Sequence, residues 1–103
     1  MVMTVFWTDT ALESLEIIFD FYSLQANKNV AKKIIKQLVE STLHLKTNPK
    51  SGQKEELLKL RSTEYRYIVK DNHKIIYWID GKTIIIATVF DCRQNPIKLL
   101  KKL

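Results

Sequence analysis

One cysteine, two glycines, two prolines and two histidines in 103 residues leave several classes of protein without their materials. Cys92 has no second cysteine to pair with, so the fold must rest on its core and not on an internal disulfide. The plainest setting for such a chain is reducing and cytoplasmic. One cysteine and two histidines do not make a Cys/His zinc site. No metal and no cofactor are expected. No stretch of about eighteen apolar residues occurs, so no membrane span is expected. The opening MVMTVFWTD has no basic segment ahead of an apolar core, and is not expected to be a signal peptide. There is no repeat, low-complexity tract or linker, which leaves a single domain over residues 1–103.

What is present is an ordinary globular composition, 46% apolar and 27% charged. The net charge of +6 is unevenly placed. Residues 1–50 carry six Lys+Arg against five Asp+Glu, whereas residues 51–103 carry eleven against six. The basic excess falls on the half rich in strand patterns. That distribution favours a nucleic-acid or acidic-peptide partner.

Residues 2–7, VMTVFW, are short, β-branched and aromatic, hence strand-like. Thr8 and Asp9 are good helix N-caps, since a side-chain oxygen can accept from the free N–H groups of the first turn. Ala11, Leu12, Leu15, Ile18, Phe19 and Tyr22 then recur at helical spacing. Asn27 or Asn29 caps a second helix, with Ala31, Ile34, Ile35, Leu38, Thr42 and Leu45 as its apolar face. Lys28, Lys32, Lys33 and Lys36 make its first half basic, while the first helix carries Asp9, Glu13, Glu16 and Asp20 and no cation. Asn48, Pro49, Ser51 and Gly52 end the second helix. The two helices read as an antiparallel hairpin.

Residues 53–63, QKEELLKLRST, fit either a helical turn or an irregular approach to a sheet. Strand alternation starts at Tyr65. A turn at Asp71–Asn72 leads to HKIIYWID, and Asp80–Gly81 is the strongest hairpin signal. Ile84 to Val89 are nearly all apolar, as in a central strand covered on both faces. The tail 95–103 reads as a short helix or a fraying end. The order β-α-α-β-β-β predicts an α+β domain. In it a three-stranded meander, joined by the N-terminal strand into a four-stranded sheet, packs one face on the helix hairpin and leaves the other partly open.

This order resembles the RelE/ParE superfamily of bacterial toxins from type II toxin–antitoxin systems. The segments that carry the resemblance are VFWTDTALESLEIIFDFY, LHLKTNPKSGQ and HKIIYWIDGKTIIIATVFDCRQNP. The resemblance implies a growth-inhibiting toxin neutralised by a cognate acidic antitoxin. Two activities are known in the superfamily. One branch cleaves messenger RNA in the ribosome, and the other inhibits DNA gyrase and cleaves nothing. By the resemblance Arg66, Lys74 and Arg93 fall where the ribonucleases carry basic residues, and would hold the scissile phosphate. Lys70 and Lys98 extend that set as nucleic-acid contacts. The segment after Arg93, QNPIKLLKKL, has neither the Tyr nor the His–Tyr pair common among the ribonucleases. GQKEELL is similar to the gyrase-inhibiting branch. Both branches stay open, as does a degenerate toxin that only binds its antitoxin.

Cleavage by transesterification needs a base for the 2′-OH, an acid for the leaving oxygen, and cations for the charge on phosphorus. Tyr65, Tyr67, Tyr77 and His73 are the candidates for the first two roles. An unperturbed Tyr, with a pKa of about 10, is a poor base at neutral pH. His73 lies at a hairpin turn, where solvation is expected. Trp78 and Tyr77 could stack on bases, but alternating strand aromatics more often pack across strands.

Overall fold

A computed structural model describes residues 2–103. The elements are β1 (Thr4–Trp7), α1 (Asp9–Gln25), α2 (Lys28–Ser41), β2 (Gln53–Lys54), β3 (Arg66–Lys70), β4 (His73–Asp80), β5 (Thr83–Asp91) and α3 (Ile97–Lys102). Single 3₁₀ turns lie at Leu43–Lys46 and Glu56–Leu58. The α+β expectation holds, with one strand more than the sequence suggested. β2, from the ambiguous segment, pairs antiparallel with β3 and makes a five-stranded sheet of order β1-β5-β4-β3-β2.

The helix hairpin forms where capping and periodicity place it. The Thr8 hydroxyl accepts from the Ala11 N–H at 3.1 Å and donates to the Ile86 carbonyl at 2.9 Å. It therefore both starts α1 and ties it to β5. Asn27, not Asn29, caps α2, accepting from the Val30 N–H at 2.9 Å. Helix α2 ends at Ser41, and the 3₁₀ turn that follows carries Leu45 into the core. The turn after β4 falls one residue later than its sequence signal. Its central residues are Gly81 and Lys82, with Gly81 at φ 57°. A left-handed conformation there suits glycine.

β1 runs parallel to β5, pairing Thr4 with Thr83 through Trp7 with Ile86. β4 and β5 pair antiparallel over their whole length, with a bulge at Ile76/Tyr77. On one face of the sheet Ile75, Tyr77, Ile84, Ile86 and Val89 pack under Ala11, Leu15 and Leu38 of the helices. The other face is not simply open. Leu58 and Leu99 close one end of it over Ile76, Ala87 and Phe90, because α3 docks on the 3₁₀ turn at Glu56–Leu58. Arg61 fastens that tail, donating to the Leu100 carbonyl at 3.1 Å and the Leu103 carbonyl at 3.3 Å. Phe6 and Val69 mark the parts of this face that stay exposed.

Candidate functional site

The hairpin register decides where the cations go. Lys70 stands opposite His73, so Arg66 pairs with Tyr77 and Lys74 with Val69. Side chains alternate between faces with period two. Arg66, Lys70 and His73 therefore share the helix-covered face, and Lys74 lies on the other. The structure does not bring Arg66, Lys74 and Arg93 together around one point.

Each of the three is also committed locally. Arg66 is 13% exposed; its guanidinium donates to the Gly52 carbonyl at 2.9 Å and the Lys50 carbonyl at 3.3 Å, and meets Glu64 at 3.3 Å. It clamps the loop beneath β3. Lys74 donates at 2.7 Å to Glu55, whose side chain is 4% exposed, and its ammonium lies 4.2 Å from the Tyr67 ring centroid. Arg93 makes a two-pronged contact with Asp91, at 3.0 Å through Nε and 2.8 Å through the terminal nitrogen. Asp91 also accepts from the Arg93 backbone N–H at 2.8 Å, so a tight turn after β5 builds the pair. The bond to Arg93 holds the Asp91 carboxyl below its usual pKa and raises that of the guanidinium. Lys98 is an exposed residue of α3.

The tyrosines divide as well. Tyr77 is buried; its hydroxyl donates to the Pro49 carbonyl at 2.7 Å and accepts from the Gly52 N–H at 3.0 Å. Burial raises its pKa. It is a fastener for the 49–52 loop and not a proton carrier. Tyr67 donates to Gln53 at 3.0 Å. His73, expected to be solvated, is buried instead, because its position at the start of β4 turns the ring under α1 beside Tyr22, with ring centroids 6.5 Å apart.

These last residues line a groove of about 190 Å³ between α1 and the end of β5. Tyr22, His73, Asp91, Arg93 and Lys102 supply its polar wall, and Ile17, Phe21 and Phe90 its apolar one. The Tyr22 phenol acts on the same guanidinium as Asp91. Sequence reading found Arg93 here and missed Asp91, Tyr22 and the outward residues of α1. The Asp–x–Arg spacing at 91–93 was the available signal for the first. Among the described residues no cluster of His, Cys, Asp and Glu is arranged to hold a metal, and no helix is long and apolar enough to cross a membrane.

Burial, reinforced by Arg93, lowers the His73 pKa, against the opposing pull of Asp91 and Asp71. The folded state thus resists protonation that the unfolded chain accepts near pH 6.5. Stability from this group is complete above that pH and is lost as pH falls through the folded value. The melting temperature should fall between pH 7 and pH 5, above the range where carboxylates titrate. His73→Gln should flatten that part of the profile; an unchanged slope would assign the loss elsewhere.

Among curated protein sequences none matches the chain. Solved structures share its fold, and two of them come from toxin–antitoxin systems. One is from the chromosomal ParDE toxin–antitoxin system of P. aeruginosa, at TM-score 0.75 and 22% identity, over 87% of this chain and 96% of that one. The other is from the toxin–antitoxin complex RelBE2 of Mycobacterium tuberculosis, at TM-score 0.57 and 20% identity, over 88% of this chain and 99% of that one. The family model for the ParE toxin of the type II parDE toxin–antitoxin system matches residues 5–96, from within β1 to the proline that precedes α3, and the chain belongs to that family.

Proposed function

We propose that the chain is the growth-inhibiting toxin of a type II pair, that it acts in the cytoplasm by binding and not by cutting RNA, and that its target is DNA gyrase. The observation that carries this reading is the separation of the three cations. Phosphoryl transfer without a metal needs positive charge and proton carriers gathered within hydrogen-bond reach of one phosphate. Here Arg66 is tied to loop carbonyls, Lys74 to a buried carboxylate on the opposite face, and Arg93 to Asp91. A binding protein has no need of that convergence. Lys70 and Lys98, with the basic tail, remain contacts for an anionic partner surface, which suits an enzyme engaged with DNA.

A second reading, a ribosome-dependent endoribonuclease, rests on one observation. His73, Tyr22 and Arg93 share a groove, so one titratable group does stand near an arginine. Brief induction in cells, with messenger RNA integrity and DNA supercoiling followed in parallel, separates the two. We expect intact messages, double-strand breaks and an SOS response. Rapid codon-linked cleavage, abolished by Arg93→Ala, would overturn the binding reading in favour of the nuclease.

A further inference from the structure

The loop that follows α2 is fastened more firmly than a surface connection needs. Its turn, Asn48–Pro49–Lys50–Ser51, closes with the Ser51 N–H donating to the Asn48 carbonyl at 3.1 Å. Proline at the second place presets such a turn. From beneath, Tyr77 holds Pro49 and Gly52, and Arg66 holds the carbonyls of Lys50 and Gly52. Two side chains that the sequence offers to chemistry thus fix this loop in place. Ser51, at the end of the turn, is exposed.

Beside it stands His44. The 3₁₀ turn at Leu43–Lys46 sends Leu45 into the core and leaves His44 exposed. The ring makes two contacts, Nδ1 with the Ser41 carbonyl at 2.9 Å and Nε2 with the Ser51 hydroxyl at 3.1 Å. These partners assign the proton. A carbonyl oxygen can only accept, so Nδ1 carries the hydrogen. Nε2 is then the nitrogen with the lone pair, and the Ser51 hydroxyl donates to it. In this tautomer and direction an imidazole acts as base toward a serine. The Ser41 carbonyl stands where a carboxylate completes a catalytic triad; it orients the ring and adds no charge. The His44–Ser51 bond is not needed to close the loop, since Tyr77 and Arg66 already do so. A shallow, mostly apolar cleft of about 330 Å³, lined by Asn48, Pro49, Lys50 and Ser51, receives the hydroxyl's side of the turn.

We propose that Ser51 is a nucleophilic serine that takes an acyl group from a small activated carboxylic ester, with His44 as its base. The Ser51 oxygen bonds to the ester's carbonyl carbon while its proton passes to Nε2 of His44. The bond from that carbon to the leaving oxygen then breaks, and the leaving oxygen takes the proton from His44. The products are an ester on Ser51 and a free alcohol or phenol, and nothing is oxidised or reduced. Lys50, one residue away and lining the same cleft, brings a cation for the negative charge that develops on the carbonyl oxygen. The activity goes beyond the toxin reading and stands or falls without it.

The test treats the chain with p-nitrophenyl acetate and maps acetyl groups over time by peptide mass spectrometry. Ser62 is the reference within the same molecule. It is exposed at a bend on another loop, and among the described residues no histidine bonds to it. Ser51 should acetylate about 100-fold faster than Ser62, the low end of what a positioned base supplies. His44→Gln should bring the rate at Ser51 down to that of Ser62. Its site is at the surface, and a melting temperature equal to the parent's would show that the loop persists. Ser51→Ala should remove the matching part of the nitrophenolate release and leave lysine acetylation unchanged. Rates at Ser51 and Ser62 within threefold of each other in the parent chain would overturn the proposal, whatever the variants do. Fast acetylation of Ser51 that His44→Gln leaves unchanged would also overturn it, by making His44 a loop contact only. Acetyl groups on lysines and on the His44 ring, with none on Ser51, would do the same.

Discussion

Gly52→Ala should destabilise the protein by about 3 kcal/mol or more, the upper part of the range for forcing a methyl group into a filled space. A Cβ at this position would lie 2.5 Å from the Tyr77 hydroxyl, 2.7 Å from its ring and 2.7 Å from the Tyr67 carbonyl oxygen. Two of these neighbours cannot swing aside. Tyr77 is fully buried in the centre of the sheet, and the Tyr67 carbonyl belongs to β3. The new methyl would also push the phenol off the Pro49 carbonyl and the Gly52 N–H. Loop 49–52 would then lift, and with it the two carbonyls that hold Arg66. The melting temperature should fall by roughly 15 °C, at about 5 °C per kcal/mol for a domain of this size. Tyr77→Phe alone removes only the hydroxyl and should cost about 1–2 kcal/mol. The two changes should not add, since both break the same contact. A Gly52→Ala protein that melts within two or three degrees of the parent would mean that the loop relaxes freely.

This loop shows how much of the molecule its sequence discloses. The Pro49 and Gly52 signals mark a chain break after the second helix, and the break is there. They do not disclose that a tyrosine 25 residues away closes the loop from beneath. The need for a small residue at Gly52 comes from close approach and not from a left-handed backbone, which no turn rule can report. The strands were legible for a different reason. Alternation at 65–80 and the two turns establish the register, and the register alone puts Arg66 and Lys74 on opposite faces. Counting cations per strand overlooked that parity, which was present in the numbering. The bulge at Ile76/Tyr77 was not legible, because the facing run Ile84–Val89 is almost uniformly apolar and has no period to break. Glu55 was missed because its burial depends on β2, a two-residue strand in a segment without periodicity. The outward residues of α1 were passed over, although the sequence carries them. Ile17, Phe21 and Leu24 lie off the apolar face that the first helix needs, and a surplus of that kind marks a surface to be covered.

Lys74→Ala should cost about 3 kcal/mol of stability, and the reason separates a fold residue from a phosphate-binding one. The Glu55 side chain is 4% exposed, and the Lys74 ammonium at 2.7 Å is its sole cationic partner among the described residues. Removing the lysine leaves a buried carboxylate with a single weak contact, the Leu57 N–H at 3.3 Å. Uncompensated buried charge costs about 3–5 kcal/mol, and the lower end applies where water can enter, as it can here beside a lysine that was 24% exposed. The contact over the Tyr67 ring is lost as well. Glu55→Gln should cost less, about 1–2 kcal/mol, because the amide still accepts a hydrogen bond and the lysine can turn to solvent. The double variant Glu55→Leu with Lys74→Met removes both charges and should recover most of the loss, since well-packed apolar residues replace a buried ion pair at little cost. That double variant then decides the role of Lys74. If it folds with near-parental stability and still arrests growth, the lysine serves the sheet and the binding mechanism keeps its support. If it folds as well and is harmless, Lys74 touches the target, and the ion pair with Glu55 is the resting position of a functional cation.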